Sequence, residues 1–269
     1  MRITASLVLY KTPDDMIRRV LDCVERSVID TVFVFDNSSQ ERIASVVAGY
    51  QKAQFAMHDN TGYGSTHNDG FRMAMLQRAD YHIVLNPDIA FEPESIEVLA
   101  AYMEQHPEVG QVMPRVVYPD GSLQYLCKLL PTPMDLLLRR FTPEFVRKKN
   151  DARFKMLFTH YDTEMQVPFL SGCFMFLRMA DVARIKGFDE RFFMYGEDID
   201  FSRRMHGVAQ TMYYPAATVV HDHAAASYHN RRMLRIHIRN VMRYFNKWGW
   251  FFDGERRRIN RRILEQWQN

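Results

Sequence analysis

The chain has 269 residues, 47% of them apolar and 25% charged, and carries a formal charge of +3 at pH 7. These values exclude disordered and collagen-like classes and leave room for one large α/β domain or two small ones. Three widely spaced cysteines, Cys23, Cys127 and Cys173, suit neither a disulfide framework nor a zinc knuckle and fit a reducing compartment. In chain order, residues 3–10 read as a buried strand and 14–28 as a helix with Ile17, Val20, Leu21 and Val24 on one face. Strand patterns recur at 31–35, 54–57 and 81–85, with helices at 65–78 and 94–105, the latter opened by Pro93. This β-α-β-α order predicts a mostly parallel, Rossmann-like sheet with helices on both faces.

The second half is less regular. Residues 109–125 read as an irregular extended unit with a turn at Pro119-Asp120-Gly121, and 131–164 as a proline-punctuated, partly helical insertion. Residues 167–178 are strand-like, 187–207 form a polar loop-to-helix junction, and 211–214 and 218–221 are short strands. The residues before 131 hold no run that approaches the ~18 apolar positions of a spanning helix, nor do those after it, and residues 1–10 are too short for a signal peptide. The expected location is therefore cytoplasmic. The expected organisation is a catalytic domain over 1–227, with a nucleotide-binding half (1–108) and an acceptor half (109–227), followed by a basic helical tail over 228–269.

Two constellations carry chemistry. In Asn86-Pro87-Asp88, an acid leaves a buried strand beside a proline, a placement suited to holding a divalent cation against a diphosphate, although Asn-Pro-Asp is also a common turn. In Gly196-Glu197-Asp198-Ile199-Asp200, three acids crowd a predicted first helical turn. There the helix dipole favours an ionised group, while mutual repulsion raises one pKa toward that of a general base. Asp198 and Asp200 cannot share a face and should have separate jobs; helix capping with a salt bridge to Arg203 or Arg204 is the plainer alternative. Ligands in open parallel sheets sit beyond the carboxyl ends of the strands, so Asp36, Asn60 and Asp88 should line one crevice.

Taken together, seven segments resemble the bacterial family 2 glycosyltransferases of GT-A fold, rhamnosyltransferase-like branch. They are Ser6-Leu7-Val8-Leu9-Tyr10, Val34-Phe35-Asp36-Asn37-Ser38-Ser39, Asn60-Thr61-Gly62-Tyr63-Gly64 through Asn68-Asp69-Gly70, and Leu85-Asn86-Pro87-Asp88. The others are Phe169-Leu170-Ser171-Gly172-Cys173, Gly187-Phe188-Asp189-Glu190 through Asp200, and Val219-Val220-His221-Asp222-His223 through Ser227. The resemblance implies that Tyr10 and Asp36 hold the nucleoside, that Asn60, Gly62 and Asn68 border the diphosphate, and that Gly172, Asn86, Asp200 and Arg204 contact substrate. Asp88 matches the last acid of the family's metal motif, with Asn86 in place of its first Asp, and His221, with His223 beside it, a position near the metal. A divalent cation, Mg²⁺ or Mn²⁺, is implied. Asp198 matches the base of the family's Glu-Asp motif, preceded by Glu197.

The implied reaction is inverting transfer of a sugar from a dTDP- or UDP-sugar, with dTDP-rhamnose as leading donor, to a glycan or lipid-linked acceptor. Two other classes share the fold: a nucleotidyltransferase, which wants a basic Gly-rich phosphate loop that Lys11-Thr12-Pro13 does not supply, and a non-catalytic carbohydrate- or nucleotide-sugar-binding module, for which the acids are superfluous. Residues 228–269 hold 11 Lys/Arg against 3 Asp/Glu, whereas the preceding 227 residues hold 24 against 29. Arg231, Arg235, Arg239, Arg243 and Lys247 form a basic stripe beside an apolar one of Leu234, Ile238, Val241, Phe245 and Trp248. This pattern predicts an anionic membrane partner in preference to nucleic acid, with packing of the apolar stripe on the catalytic domain as the alternative.

Overall fold

The computed structural model describes residues 1–136, 144–222 and 231–267. In the first half, strands β1 (Ile3–Leu9), β2 (Thr31–Asp36), β3 (Ala53–Met57) and β4 (Tyr81–Leu85) are joined by helices α1 (Asp14–Arg26), α2 (Glu41–Val47) and α3 (Tyr63–Leu76). Next come β5 (Ile89–Phe91), α4 (Pro93–Gln105), β6 (Val109–Val117), β7 (Cys127–Lys128), α5 (Pro133–Leu136) and α6 (Glu144–Phe154). Then follow β8 (Met165–Gln166), β9 (Phe169–Leu170), β10 (Phe174–Arg178), α7 (Met179–Ile185), α8 (Glu197–His206), β11 (Gln210–His221), α9 (Arg231–Trp248) and α10 (Gly254–Glu265).

Among the described residues the main sheet runs β3-β2-β1-β4-β10-β6-β11-β5, with β8 also paired to β11. The first four strands are parallel, as is β6 with β11, while β10 runs antiparallel between β4 and β6. The two short strands expected at 211–214 and 218–221 are one strand, β11, whose register with β6 shifts between Tyr214 and Thr218, around Pro215. The 109–125 unit is more regular than its sequence suggests, because β6 is buried between two neighbours.

Period-two alternation sends each strand's side chains to two cores. Ile3, Ala5, Leu7 and Leu9 of β1 join Val32 and Val34 of β2 in the cluster that holds the apolar faces of α1 and α4. Phe33, Phe35 and Val84 point the other way, into a cluster completed by Phe71 of α3, Val182 of α7, Phe188, and Phe201 and Met205 of α8. A third cluster joins Leu130, Phe169, Phe192 and Ile199 to Val241, Tyr244 and Phe245 of α9. The described part of the 228–269 segment is thus docked on the body, and α10 adds Ile263 to the first core.

This sheet topology gathers the site. Residues 10, 36, 58–60 and 86–88 follow or end the four parallel strands at one edge. β10 starts and β11 ends at that same edge, because Phe174 pairs with Leu85 and His221 with Ile89.

On the helix side of β1 and β4 lies a fully buried polar chain: Thr4 Oγ1 is 2.8 Å from His82 Nδ1, His82 Nε2 is 2.8 Å from Ser6 Oγ, and Ser6 Oγ is 2.7 Å from His67 Nδ1. Burial lowers His82 from 6.5 to about 3, and burial with the nearby His82 lowers His67. The folded state therefore keeps His82 neutral while the unfolded chain takes up a proton as pH falls below 6.5, so the stability of this site is present above that pH and lost below it. We predict that the stability of His82→Gln, measured by urea unfolding, falls less steeply with acidification than that of the wild type. The difference in slope should be about 1.4 kcal/mol per pH unit between about pH 4 and pH 6. Equal slopes would contradict a neutral buried His82.

Candidate active site

The densest part of the site begins at Gly62, whose φ of 114° and close packing leave no room for a side chain: a Cβ there would lie 2.5 Å from the Phe193 carbonyl oxygen. The Tyr63 N–H donates to that same oxygen at 2.8 Å. The start of α3 is thereby clamped to the segment that leads into α8. From this anchor the Tyr63 hydroxyl reaches Asn86 Oδ1 at 2.9 Å and the Gly172 carbonyl oxygen at 2.8 Å. Burial, then Cys173, Glu197, Asp198 and Asp88 around it, raise its pKa and keep it a donor. Gly172 in turn donates its N–H to Asp198 Oδ2 at 3.3 Å, and its Cα approaches so closely that a Cβ would lie 3.1 Å from Asp198 Cβ. One path of contacts thus runs from the end of β4 to the first turn of α8.

Helix α8 starts from Gly196 in a left-handed conformation, with Glu197, Asp198 and Asp200 in its first turn. Burial pushes the Asp198 carboxyl above its ordinary value, and Lys128 is the main opposing influence, followed by the Ile199 and Gly172 N–H donors. Burial and the neighbouring Asp198 push Glu197 well above the carboxylate range. Glu197 Oε2 is buried and accepts no hydrogen bond among the described residues. Two adjacent acids so placed ionise in sequence, with the half-buried Asp198 the better placed to carry the charge.

At the other end of the path, the Asp88 side chain is 19% exposed and its Oδ1 lies 3.3 Å from His221 Nε2. Gln124 fixes that imidazole: its Oε1 is 2.8 Å from Nδ1 while its Nε2 donates to the His221 carbonyl oxygen at 2.7 Å. An amide oxygen can only accept, so Nδ1 carries the proton and donates to it, and Nε2 faces Asp88. Among the described residues no group of three or more His, Cys, Asp or Glu forms a metal cage. Asp88 and His221 could supply two ligands to a cation whose other ligands were diphosphate oxygens and water. His223 lies outside the described residues.

Other expected site residues are used differently. Asp36 is fully buried and both its oxygens are occupied, by Ser38 N–H (2.9 Å), Ser38 Oγ (2.5 Å) and Gln40 N–H (2.6 Å), so it shapes the 36–40 turn and presents no carboxylate. Asn68 is buried too. Its amide donates to the Phe188 carbonyl oxygen (3.0 Å) and Glu190 Oε1 (3.0 Å) and accepts from Phe188 N–H (2.8 Å), which ties α3 to the 187–190 segment. Asn86 Oδ1 is engaged by Tyr63 and does not act as a second metal acid. Tyr10 and Asn60 are exposed at the rim, accessible to a ligand.

Asp200 and Arg204 are likewise engaged by neighbouring side chains and backbone. Asp200 is fully buried; its Oδ2 accepts from Arg204 Nε (2.8 Å), and its Oδ1 accepts from Trp248 Nε1 (2.7 Å) and pairs with Lys247 Nζ (2.6 Å). The Arg204 guanidinium also donates to the carbonyl oxygens of Ile185 and Gly187. The plainer alternative, an i,i+4 salt bridge along the helix, is what these two residues form. Arg203 turns the other way, to Asp253 and Glu255, with its guanidinium 4.0 Å from the Trp248 ring centroid.

Sequence reading missed Tyr63 and Lys128. Tyr63 falls inside a glycine-flanked run and reads as packing. Lys128 sits in a two-residue strand, paired with Phe169, with its Nζ 4.9 Å from that ring, a placement visible only once β7 meets β9.

We predict that Asp200→Ala destabilises the fold by about 3 kcal/mol or more, because it leaves Arg204, Lys247 and Trp248 N–H facing an empty position. Chemical denaturation measures this loss. A neutral effect on stability together with a raised donor KM would instead return Asp200 to substrate binding.

A family model described as glycosyl transferase family 2 matches residues 7–185, and one described as the N-terminal domain of galactosyltransferase matches 152–223. N-acetylglucosaminyl-diphospho-decaprenol L-rhamnosyltransferase of Mycobacterium tuberculosis is 31% identical over 152 residues, 54% of this chain and 48% of its own. The match thus spans about half the length of that relative. Rhamnosyltransferase WbbL of Escherichia coli is 25% identical over 79% of this chain and 81% of its own. Among solved structures, S. aureus TarS superposes with a TM-score of 0.58 at 12% identity, covering 91% of this chain and 44% of its own. A mannosyltransferase from Pyrobaculum calidifontis, solved with GDP-Man and Mn²⁺, gives 0.59 at 16%, covering 90% and 64%. The fold is that of GT-A proteins, and the chain belongs to glycosyl transferase family 2.

Proposed function

We propose that the chain is an inverting glycosyltransferase that moves a sugar, rhamnose from dTDP-rhamnose in our leading reading, onto a hydroxyl of a glycan or lipid-linked acceptor. The observation that supports this is the Asn86–Tyr63–Gly172–Asp198 path, which links a half-buried carboxylate to the strand end that carries Asp88, beside His221. The names of the two curated relatives support rhamnose as the sugar, and the M. tuberculosis name supports a lipid diphosphate acceptor. The Mn²⁺ of the Pyrobaculum structure supports a divalent cation.

In this reading Tyr10 and Asn60 border the nucleotide, and the 60–64 turn lies beside the diphosphate. Asp88 and His221 would hold Mg²⁺ or Mn²⁺, which neutralises charge on the departing diphosphate. Asp198 accepts the acceptor's hydroxyl proton as that oxygen bonds to the anomeric carbon. The bond from the anomeric carbon to the diphosphate oxygen breaks on the opposite face, the electron pair leaves with the nucleoside diphosphate, and the configuration inverts. Glu197, kept protonated by its surroundings, leaves the negative charge to Asp198. Lys128 favours the ionised form of the base and counters the effect of burial.

Asp198→Asn keeps the shape and removes the base, so turnover should fall ~10²-fold or more with donor affinity little changed. Nucleoside diphosphate release from dTDP-rhamnose measures both, and near wild-type turnover would remove Asp198 from the role. The wild-type rate should decline toward acid pH with its midpoint above the ordinary Asp value of 3.8, since only the ionised base accepts a proton. Lys128→Met should move that midpoint higher and Lys128→Arg should restore it; an unmoved midpoint would separate Lys128 from the base. For the cation, Asp88→Ala should abolish the Mn²⁺ dependence of nucleotide binding seen by calorimetry, whereas identical binding in excess chelator would show that Asp88 and His221 hold no essential ion.

A further inference from the structure

Helix α9 is docked along only part of its apolar stripe. Val241, Tyr244 and Phe245 are buried in the third core. Leu234, Ile238 and Met242, along and beside the same stripe, recur every four residues at 37, 41 and 45% exposure, an apolar ladder left on the surface. The stripe expected from sequence, which ran through both Ile238 and Phe245, is therefore split by the fold. Beside the ladder stand Arg235 and Arg239, exposed, and the half-exposed Arg243; the helix contains no Asp or Glu. The turn after α9 exposes two aromatic rings, Phe251 at 69% and Phe252 at 91%. Beyond it α10 exposes Arg257, Arg258, Arg261 and Arg262.

Folding does not leave Phe252 in water for any internal reason, since its neighbour Trp250 turns inward against Phe245 at 5.2 Å between ring centroids. A row of single apolar side chains interleaved with arginines, ending in two exposed phenylalanines, matches an interface that is apolar below and anionic above. Leu, Ile, Met and Phe enter the acyl boundary, while arginine stems lie along it and their guanidiniums meet lipid phosphates. A protein partner would offer acids at fixed points; a surface of mobile anions suits guanidiniums spread along one helix flank and over the next helix.

The same helix touches the site. Asn240 Nδ2 donates to the Met194 carbonyl oxygen at 2.7 Å, Arg243 donates to the Arg191 carbonyl oxygen, and Tyr195 and His237 meet edge-on at 5.3 Å. These contacts fall on the 191–195 segment that runs directly into Glu197 and Asp198. We propose that the outer face of α9, continued by the Phe251–Phe252 turn, lies on an anionic membrane surface and so brings the 191–198 segment level with the headgroup layer, where the hydroxyl of a lipid-linked acceptor is presented to Asp198. The binding step stands on the surface alone; the presentation step rests on the function proposed above.

The experiment uses the full chain and phosphatidylcholine vesicles with and without phosphatidylglycerol, by flotation in low and high salt. Binding is expected only to the anionic vesicles and should weaken with salt. Phe251→Ser with Phe252→Ser, and separately Arg235→Glu with Arg239→Glu, should each weaken it ~10-fold or more, in line with about 1 kcal/mol for each basic residue near such a surface. These variants should keep wild-type circular dichroism and wild-type turnover on a short water-soluble acceptor, and lose turnover on a vesicle-embedded one. In the unaltered protein, brominated phosphatidylglycerol should quench tryptophan emission through Trp250, beside the inserted rings. Negligible binding to both vesicle types, or binding unchanged in both variants with no quenching, would overturn the proposal. Vesicle binding without any sugar transfer would uphold the surface and overturn the function instead.

Discussion

Asp200 is a charge with no access to water, and such a group persists in a fold only where opposite charge and hydrogen-bond donors meet it directly. Here they come from two directions. Arg204 approaches from the same helix, one turn on, while Trp248 and Lys247 approach from α9, more than forty residues later. The pairing therefore fixes the position of α9 along α8 as well as their distance. Lys247 also reaches Asp189 at 2.8 Å, where Arg191 and Lys247 hold the carboxyl well below its ordinary range. The 187–195 segment, α8 and α9 are consequently one electrostatic unit, and the first turn of α8, with Glu197 and Asp198, is set within it.

Three acids in four residues are given three environments by this arrangement. Helical spacing turns Asp200 inward to its cations, leaves Asp198 at the Gly172 approach, and buries Glu197 with no donor to Oε2 among the described residues. The consequences follow from charge balance. Burial and the neighbouring Asp198 favour the proton on Glu197, while Lys128 and the N–H donors draw the half-buried Asp198 back toward its ionised form. Chemistry and stability are thus separated by a rotation of the helix rather than by residue type.

Much of this was legible beforehand. The period-two runs of β1, β2 and β4 and the helical period of α1 are strong because both faces of the parallel strands are buried, and the acids at Asp88 and Asp198 stood out by their place at a strand end and a helix start. Burial partners were not legible. Asp36, Asn68, Asp200 and Arg204 carry the right functional groups at the expected positions, yet each is taken up by contacts to residues two to 122 positions away. Lys128 and Tyr63 failed for the opposite reason: nothing local distinguishes them, and their importance comes from strands and loops that meet in space. The tail shows the same limit, since one amphipathic stripe in sequence became a docked face and an exposed ladder.

The charge of the edge itself bears on how a diphosphate could be received. Asp88, Glu197 and Asp198 all act on Tyr63, whereas Lys128 is a cation that acts on Asp198. An incoming diphosphate would meet more anions than cations, at short range and in a partly buried space where screening by water is weak. Two routes lower that repulsion. Glu197 is already held toward its neutral form, which removes one charge without any ligand. A divalent cation at Asp88 and His221 removes more, and it binds best when diphosphate oxygens complete its shell. Donor and cation would then bind cooperatively, each improving the site for the other, and with Asn86 in place of a second acid the diphosphate would have to supply more of the anionic ligands.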